Sequence, residues 1–162
     1  MKWYWIALAA AALLIITKKT LTAYITKAIA LIKKFEGLSL KAYQDAGGLS
    51  IGYGHYLLKN ELFRKITKEE AEILLEKDFS KSDAVIERYV KVSLTDNQRA
   101  ALLSLIFNIG GGGFVKSTLL KKLNAGDYSS AADNFDKWIY SQGKINTTLV
   151  KRRKEEKQIF LT

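Results

Sequence analysis

The chain has 162 residues, of which 48% are hydrophobic and 26% are charged, a composition that indicates one globular domain with a sizeable core rather than a disordered chain. It has no cysteine and one histidine, which excludes disulfides, thiolate metal sites and cysteine nucleophiles, and leaves any catalysis to carboxylates. The formal net charge of +10 predicts an anionic partner, for which nucleic acid, membrane surfaces and bacterial wall polymers all qualify.

The N-terminal stretch is strongly apolar. Residues 3–16 form an unbroken apolar run with Lys2 before it and Lys18 and Lys19 after it. As a helix this run would be roughly 21 Å long, short of the roughly 30 Å hydrocarbon core of a bilayer. Flanking lysines and aromatic side chains can extend that reach at the interfaces, so residues 1–19 are a candidate membrane anchor.

Two other interpretations of this segment stay open. A cleaved signal peptide fits its length, although the only suitable small-residue site, Ala28-Ile-Ala30, lies within the next predicted helix. A buried N-terminal helix fits a run that is apolar on every face. If the segment is an anchor, the lysines that follow it oppose an outward-facing domain under the positive-inside rule, so its orientation is unresolved.

Two carboxylates follow at the start of the globular part. A helical pattern ends at Glu36, because Gly37 comes next as a stop signal. Residues 38–44 then alternate loosely, and a turn beginning at Asp45 leads into a second short strand, which predicts a small hairpin sheet. Both carboxylates can therefore face one groove. Glycoside hydrolysis needs such a pair, although the spacing alone is also common between surface carboxylates.

Further helical patterns follow in chain order. Thr67-Lys-Glu-Glu70 is a capping box that opens a long helix to about Val90, with a length that suits a bridge between two lobes. Thr95-Asp-Asn-Gln98 opens a helix that is apolar nearly all round and therefore central, and residues 110–113 are predicted to end it. Short helices are predicted at about residues 117–124, 129–140 and 147–160.

The stretch FEGLSLKAYQDAGGLSIGYGH, residues 35–55, resembles the phage-type lysozymes, the muramidases of glycoside hydrolase family 24. The resemblance continues, in the family's order, through residues 66–78, 94–110, 117–127 and 149–156. It implies an α+β, mostly helical lysozyme fold, with a small β-hairpin lobe and a larger helical lobe joined by a long helix. The expected catalytic domain is residues 20–162, with lobes of about 20–90 and 91–162.

The resemblance also implies an activity. The expected reaction is hydrolysis of the β-1,4 bond between N-acetylmuramic acid and N-acetylglucosamine in peptidoglycan, with Glu36 as general acid and with Asp45 and Ser50 positioning or activating the water. Family members usually place a threonine six residues after the aspartate, whereas Ser50 comes five residues after Asp45. The turn is shorter, and serine lacks the methyl group that restricts χ1 in threonine, so we expect a less firmly held water.

Other site residues are carried over from the same resemblance. Phe107, Asn108, Ser117 and Asn134 would line the cleft opposite the hairpin and bind sugar. Core packing is an open alternative for Phe107, and an exposed helix face is one for Asn134. His55, the only histidine, is expected to be structural near the site, where a ring nitrogen can satisfy buried backbone or a carboxylate.

Arg152 and Arg153 either form a solvated face or hold Glu36. An arginine beside Glu36 would favour its ionised form, which opposes a role as acid. We therefore expect the arginine to orient the carboxyl while apolar neighbours keep the acid protonated.

The expected partners follow from these observations. The segment of residues 3–16 resembles the alanine-rich signal-arrest-release segments of some phage lysozymes, which predicts anchoring in the bacterial inner membrane or periplasm, with later release open, and action on the cell wall. Nucleic-acid-binding motifs are missing, so we expect no nucleic-acid partner. Because the chain has no cysteine and one histidine, we expect no metal site. We also expect no other cofactor, and a monomer. The alternative function is a cationic wall- or membrane-binding protein with a weakened or lost site, prompted by the short turn and the charge.

Overall fold

The computed structural model describes residues 23–45, 48–58, 61 and 65–162. The candidate anchor, residues 1–19, lies outside the described residues, so the interpretations of that segment stay predictions. In the described part of the chain, no helix is both long enough and apolar enough to cross a membrane.

The first described helix, α1, covers residues 23–36 and ends as predicted at Gly37, whose φ of +68° is the left-handed conformation that glycine adopts without steric cost. Three antiparallel strands follow in the spatial order β1-β2-β3, namely β1 (Ser39–Asp45), β2 (Gly48–Gly52) and β3 (His55–Tyr56). The predicted hairpin is therefore confirmed, and a third strand extends it.

Two long helices, α2 (Lys68–Tyr89) and α3 (Asp96–Ile109), begin at the two predicted capping boxes. In each box the threonine hydroxyl accepts a backbone N–H from the third residue of the helix, and that residue's side chain accepts the threonine N–H. Two donors that a helix start leaves unpaired are thus satisfied. Every residue from Ala100 to Ile106 is buried, which confirms that α3 is the central helix.

The glycines of residues 110–113 end α3 as predicted, but they also begin a further helix that was not predicted. Gly110 ends α3 with a φ of +78°, but Gly111–Val115 then form the short helix α4. A Cβ on Gly111 would lie 2.8 Å from Val85 Cγ2, so the missing side chain lets α4 approach α2 closely. The glycines here serve helix packing as well as the turn.

Helix α5 (Thr118–Asn124) begins one residue later than predicted, because Ser117 is its N-cap and its side chain accepts the Leu120 N–H. The predicted helix over residues 129–140 is wrong in its second half. Helix α6 (Tyr128–Asp133) gives way to a 3-10 turn at Asn134–Lys137 and then to a second hairpin, β4 (Tyr140–Ser141) and β5 (Lys144–Ile145).

A two-residue turn closes this second hairpin. Gln142 and Gly143 have φ values of +51° and +75°, and two left-handed residues in a row make the turn whose twist matches a tight hairpin.

The last helix, α7 (Thr147–Phe160), lies where it was predicted and packs against α3. The α3–α7 interface positions the candidate site.

Candidate active site

Glu36 is the last residue of α1, and its side chain is 19% exposed. Its Oε1 accepts a hydrogen bond from Nη1 of Arg152 at 2.6 Å, within an ion pair. Its Oε2 lies close to Gly54, where an added Cβ would be 3.3 Å from that oxygen. The carboxyl is thus held at one oxygen by a cation and approached at the other by backbone that carries no side chain.

Glu36 and Asp45 line the same cavity, which has a volume of about 660 Å³. Its walls combine aromatic and apolar surfaces with a few convergent polar groups, the usual make-up of a ligand site. The remaining lining residues are Phe35, Asn108, Ile109, Lys137, Trp138, Tyr140, Ser141, Asn146, Thr148, Leu149 and Arg152. The structure therefore brings the two predicted carboxylates to one groove.

The sheet positions Asp45 and Ser50 differently. Asp45 ends β1, where it pairs with Gly48 and lines the cavity. Ser50 is buried in β2, opposite Tyr43 on one side and Tyr56 on the other, and it is not among the described residues that line the cavity. Opposite residues of antiparallel strands share a face, so Ser50 and Tyr43 project together.

Tyr43 lies near both carboxylates. Burial raises the pKa of its hydroxyl, and the negative charges of Asp45 and Glu36 raise it further. The phenol therefore stays neutral in the ordinary pH range and keeps its proton for hydrogen bonding.

Arg152 and Arg153 are both buried, so the interpretation that they form a solvated face is wrong. Besides Glu36, Arg152 contacts Glu156 through Nε at 3.0 Å and the Ser104 carbonyl through Nη2 at 3.0 Å. Arg153 donates from Nε to the Trp138 carbonyl at 3.1 Å and from Nη2 to the side chain of Asn108. Both arginines thus reach from α7 to the edge of the cavity.

His55 is buried and lies between two carboxylates. Its Nδ1 is 2.6 Å from Asp78 Oδ2 on α2, and its Nε2 is 3.4 Å from both carboxyl oxygens of Glu61. The Leu58 N–H, 2.7 Å from Glu61, holds the pKa of that carboxyl below its usual range, against the effect of burial. These contacts connect β3 to α2, and His55 does not line the Glu36 cavity in the described part of the chain.

The four predicted sugar-binding residues lie in different places. Asn108 lines the Glu36 cavity, and the half-buried Phe107 lines a neighbouring cavity of about 560 Å³ that also includes Gly54. Ser117 caps α5, and Asn134 is buried with its Nδ2 donating to the Ser130 carbonyl at 2.7 Å.

Asn134 is not on an exposed helix face, so that alternative is wrong. Among the described residues, Ser117 and Asn134 line neither of these two cavities.

Comparisons with known proteins show which family the chain belongs to. The family model described as phage lysozyme matches residues 33–156. The chain belongs to the phage lysozyme family. An endolysin of Acyrthosiphon pisum secondary endosymbiont phage 1 is 48% identical over 141 residues, covering 83% of this chain and 94% of that protein.

Two other relatives support the assignment. A SAR-endolysin of Enterobacteria phage P21 is 39% identical over 127 residues, covering 78% of this chain and 77% of its own length. The crystal structure of a mutant of P22 lysozyme matches with a TM-score of 0.72 at 37% identity, covering 83% of this chain and 95% of that one.

This phage lysozyme is a glycoside hydrolase, a muramidase that cleaves peptidoglycan. Its mostly helical fold with a small antiparallel sheet confirms the predicted fold class. The comparisons do not favour the alternative of a binding protein with a lost site.

Several residues that line the cavity were not predicted from the sequence, notably Trp138, Tyr140 and Asn146. They lie on or next to the second hairpin, which the continued helix prediction hid. The signal was present in Ser141-Gln-Gly-Lys144, a two-residue turn ending in glycine between aromatic and β-branched residues.

The contact between Gly54 and Glu36 gives a testable prediction. Gly54→Ala should lower peptidoglycan hydrolysis by about ten- to a hundredfold, because the new Cβ displaces Glu36 Oε2 and small misplacements of a group in an active site are costly. The measurement is the initial rate of cleavage of isolated walls, at a temperature where circular dichroism shows the variant folded.

Gly126→Ala is the matched control, since Gly126 has a φ of +77°, close to the +81° of Gly54, with open space around it. Both variants carry the same backbone penalty, about 1–2 kcal/mol for a left-handed alanine. Equal rates in the two folded variants would show that the contact with Glu36 does not matter.

Proposed function

We propose that Glu36 is the general acid of this muramidase. In this mechanism Glu36 gives its proton to the glycosidic oxygen, the bond from that oxygen to C1 of N-acetylmuramic acid breaks, and N-acetylglucosamine leaves with a free hydroxyl. The proposal is supported chiefly by one observation: Glu36 lines one cavity with Asp45, and a buried arginine binds its carboxyl there. Arg152 keeps the acid in one orientation.

Asp45 is proposed as the base that activates the water. It is exposed to solvent at the end of β1, whereas Glu36 lies next to Phe35 in a more enclosed position. The water adds to C1 from the face opposite the leaving oxygen, and its proton goes to Asp45. The two carboxyl groups therefore take different roles because their surroundings differ.

Ser50 is proposed to help hold this water, together with the neutral Tyr43 hydroxyl on the same face of the sheet. A held water favours inversion at C1 over a covalent intermediate. Inversion predicts that the first product formed is the α-anomer of N-acetylmuramic acid, and release of the β-anomer, read by NMR, would contradict it.

Sugar rings are proposed to pack on Trp138 and Tyr140 and to hydrogen-bond with the amides of Asn108 and Asn146. Aromatic faces with a few fixed amide groups suit a ring that has both apolar and hydroxyl-bearing faces. Phe107 would extend this surface into the neighbouring cavity.

Ser117 and Asn134 are also proposed as sugar ligands, although the Ser117 hydroxyl accepts a hydrogen bond in the cap of α5 and Asn134 is buried.

We further propose that the enzyme acts as a monomer without a metal or other cofactor, because side chains of one chain fill every role above. Size-exclusion chromatography with the purified chain tests the oligomeric state.

We infer that residues 3–16 anchor the enzyme in the bacterial inner membrane, and that the catalytic domain of residues 20–162, with lobes of about 20–90 and 91–162, acts on the wall from there. The inference is supported by the alanine-rich apolar run and by the relative from phage P21, which is described as a SAR-endolysin. Release from the membrane would bring the enzyme to its polymer.

The role of Glu36 is tested by Glu36→Gln, which keeps the shape of the side chain and removes the transferable proton. Hydrolysis of isolated walls should fall by about a hundred- to ten-thousandfold, the usual contribution of a general acid. Glu155→Gln is the control, because Glu155 is a carboxylate of α7 that pairs with Lys34 near the surface, and it should retain activity. Activity of Glu36→Gln within tenfold of wild type would reject the assignment.

The two water-handling residues are ranked by a second test. Asp45→Ala should slow hydrolysis more than Ser50→Ala, because a carboxylate both holds the water and accepts its proton, whereas the serine hydroxyl only helps to hold it. Steady-state rates on the same wall preparation give the order. The reverse order would make Ser50 the main residue that holds the water.

The anchor is tested by changing its hydrophobicity. Replacing residues 9–12 with leucine should keep the protein in the membrane fraction and impair lysis from inside cells, because each leucine favours insertion by roughly 0.3 to 0.6 kcal/mol and alanine contributes little. Deletion of residues 1–19 should give a soluble enzyme that clears isolated walls. If the deletion unfolded the domain in a thermal melt, the segment would belong to the core.

A further inference from the structure

Four polar side chains are buried together where α3 packs against α7. Ser104 of α3 and Arg152, Arg153 and Glu156 of α7 are each 2% exposed or less. A buried carboxylate is costly unless its oxygens are paired and hydrogen-bonded. The burial of Glu156 would therefore destabilise the fold unless the contacts of its carboxyl compensate.

The Glu156 carboxyl accepts from three donors. Its Oε1 is 2.6 Å from the Ser104 hydroxyl and 3.0 Å from Nε of Arg152, and its Oε2 accepts from Nη1 of Arg153. An oxygen pair that accepts from two guanidinium groups and a hydroxyl is the arrangement of an ionised carboxylate. Burial raises the pKa of this carboxyl, and the charges of Arg153 and Arg152 oppose that effect.

Each arginine continues from Glu156 to the catalytic cavity. Arg152 donates from Nη1 to Glu36, and Arg153 donates to Asn108 and to the Trp138 carbonyl. One buried carboxylate thus fixes two cations, and those cations contact three residues that line the cavity.

We propose that Glu156 is a positioning residue that controls the protonation of Glu36 through Arg152. The two arginines and Glu156 together present one net positive charge to Glu36, enough to orient its carboxyl. Without Glu156 they would present two, which would hold Glu36 in its ionised form and remove the proton that the reaction needs. The inference rests on the proposed role of Glu36 as the acid.

Other charged and titratable groups near Glu36 come from three further elements and do not change in the experiment. Within α1, Lys33 and Lys34 are paired with Glu72 and Glu155. The remaining groups near the cavity are Tyr43 and Asp45 of β1 and Lys137 of the 3-10 turn. They act equally on every variant below, so differences between variants report the buried cluster.

The experiment measures the initial rate on purified peptidoglycan, at sub-saturating substrate, as a function of pH in the full chain. The alkaline limb of this profile reports loss of the proton from the general acid. Glu156→Gln should move that limb to lower pH by about one unit, because it leaves both arginine charges uncompensated. Arg153→Gln should move it to higher pH, because it removes one of those charges.

Two more variants separate charge from packing. The double variant Glu156→Gln/Arg153→Gln removes one charge of each sign and should return the limb to its wild-type position. Ser104→Ala removes a hydrogen bond to Glu156 but no charge, so it should lower the melting temperature and leave the limb unmoved. A merely structural role for Glu156 predicts lower rates with no displacement of the limb in any variant.

The outcomes decide the inference even if Glu156→Gln fails to fold. In that case Arg153→Gln with a raised limb, together with a double variant at the wild-type position, supports the inference, and an unmoved limb in Arg153→Gln overturns it. Glu36→Gln separates the two proposals. If it stays active, the role of Glu36 fails; if it is inactive and the limbs do not move, only the role of Glu156 fails.

Discussion

The ion pair between Glu36 and Arg152 joins the end of α1 to α7, two elements that are far apart in the chain. Arg152 is almost completely buried, and a buried guanidinium must find partners for its donors or it destabilises the fold. Its three nitrogens do so with Glu36, Glu156 and Ser104. The same contacts that satisfy the arginine fix the carboxyl of Glu36, so the stability of the α3–α7 interface and the geometry of the site depend on one another.

The turn between β2 and β3 approaches the Glu36 carboxyl at Gly54, and carboxylates of α2 hold this turn in place. The residues on either side of Gly54 both bind α2, since Tyr53 donates to Glu72 at 3.0 Å and His55 lies 2.6 Å from Asp78. Burial raises the pKa of the Tyr53 hydroxyl, so it keeps the proton that it donates. With both neighbours held on α2, the backbone at Gly54 cannot easily withdraw from Glu36. The Glu36 carboxyl is thus enclosed between a buried cation and a turn that is held on α2.

The features that could be predicted from the sequence are those encoded within a few residues. Thr67 and Thr95 each carry their partner three positions later, and Gly37 follows directly on the helix it ends, so these boundaries were read correctly. Glu36 and Asp45 also belong to one short stretch.

That an arginine of α7 holds Glu36 was one of two interpretations left open from the sequence, and the structure shows this contact for Arg152, 116 positions away. The contact of Ser104 with Glu156 spans 52 positions, and no periodicity encodes such a distant partner. The role of Gly111 was missed for the same reason, because its close approach to Val85 is a tertiary contact.

The strongly positive charge of the chain and the chemistry of its site are physically separate. The cavity is lined by two acidic and two basic side chains, so its own charge is near balance. The excess of positive charge resides instead in exposed lysines, among them Lys41, Lys91, Lys116, Lys121, Lys144, Lys151 and Lys154. Exposed charges act over roughly 10 Å in ordinary salt and weaken as salt rises, which suits attraction to an anionic polymer. Buried, compensated charges such as those of Arg152, Arg153 and Glu156 are screened far less, so the ionic conditions that govern encounter with the wall have little effect on the buried cluster beside the cavity.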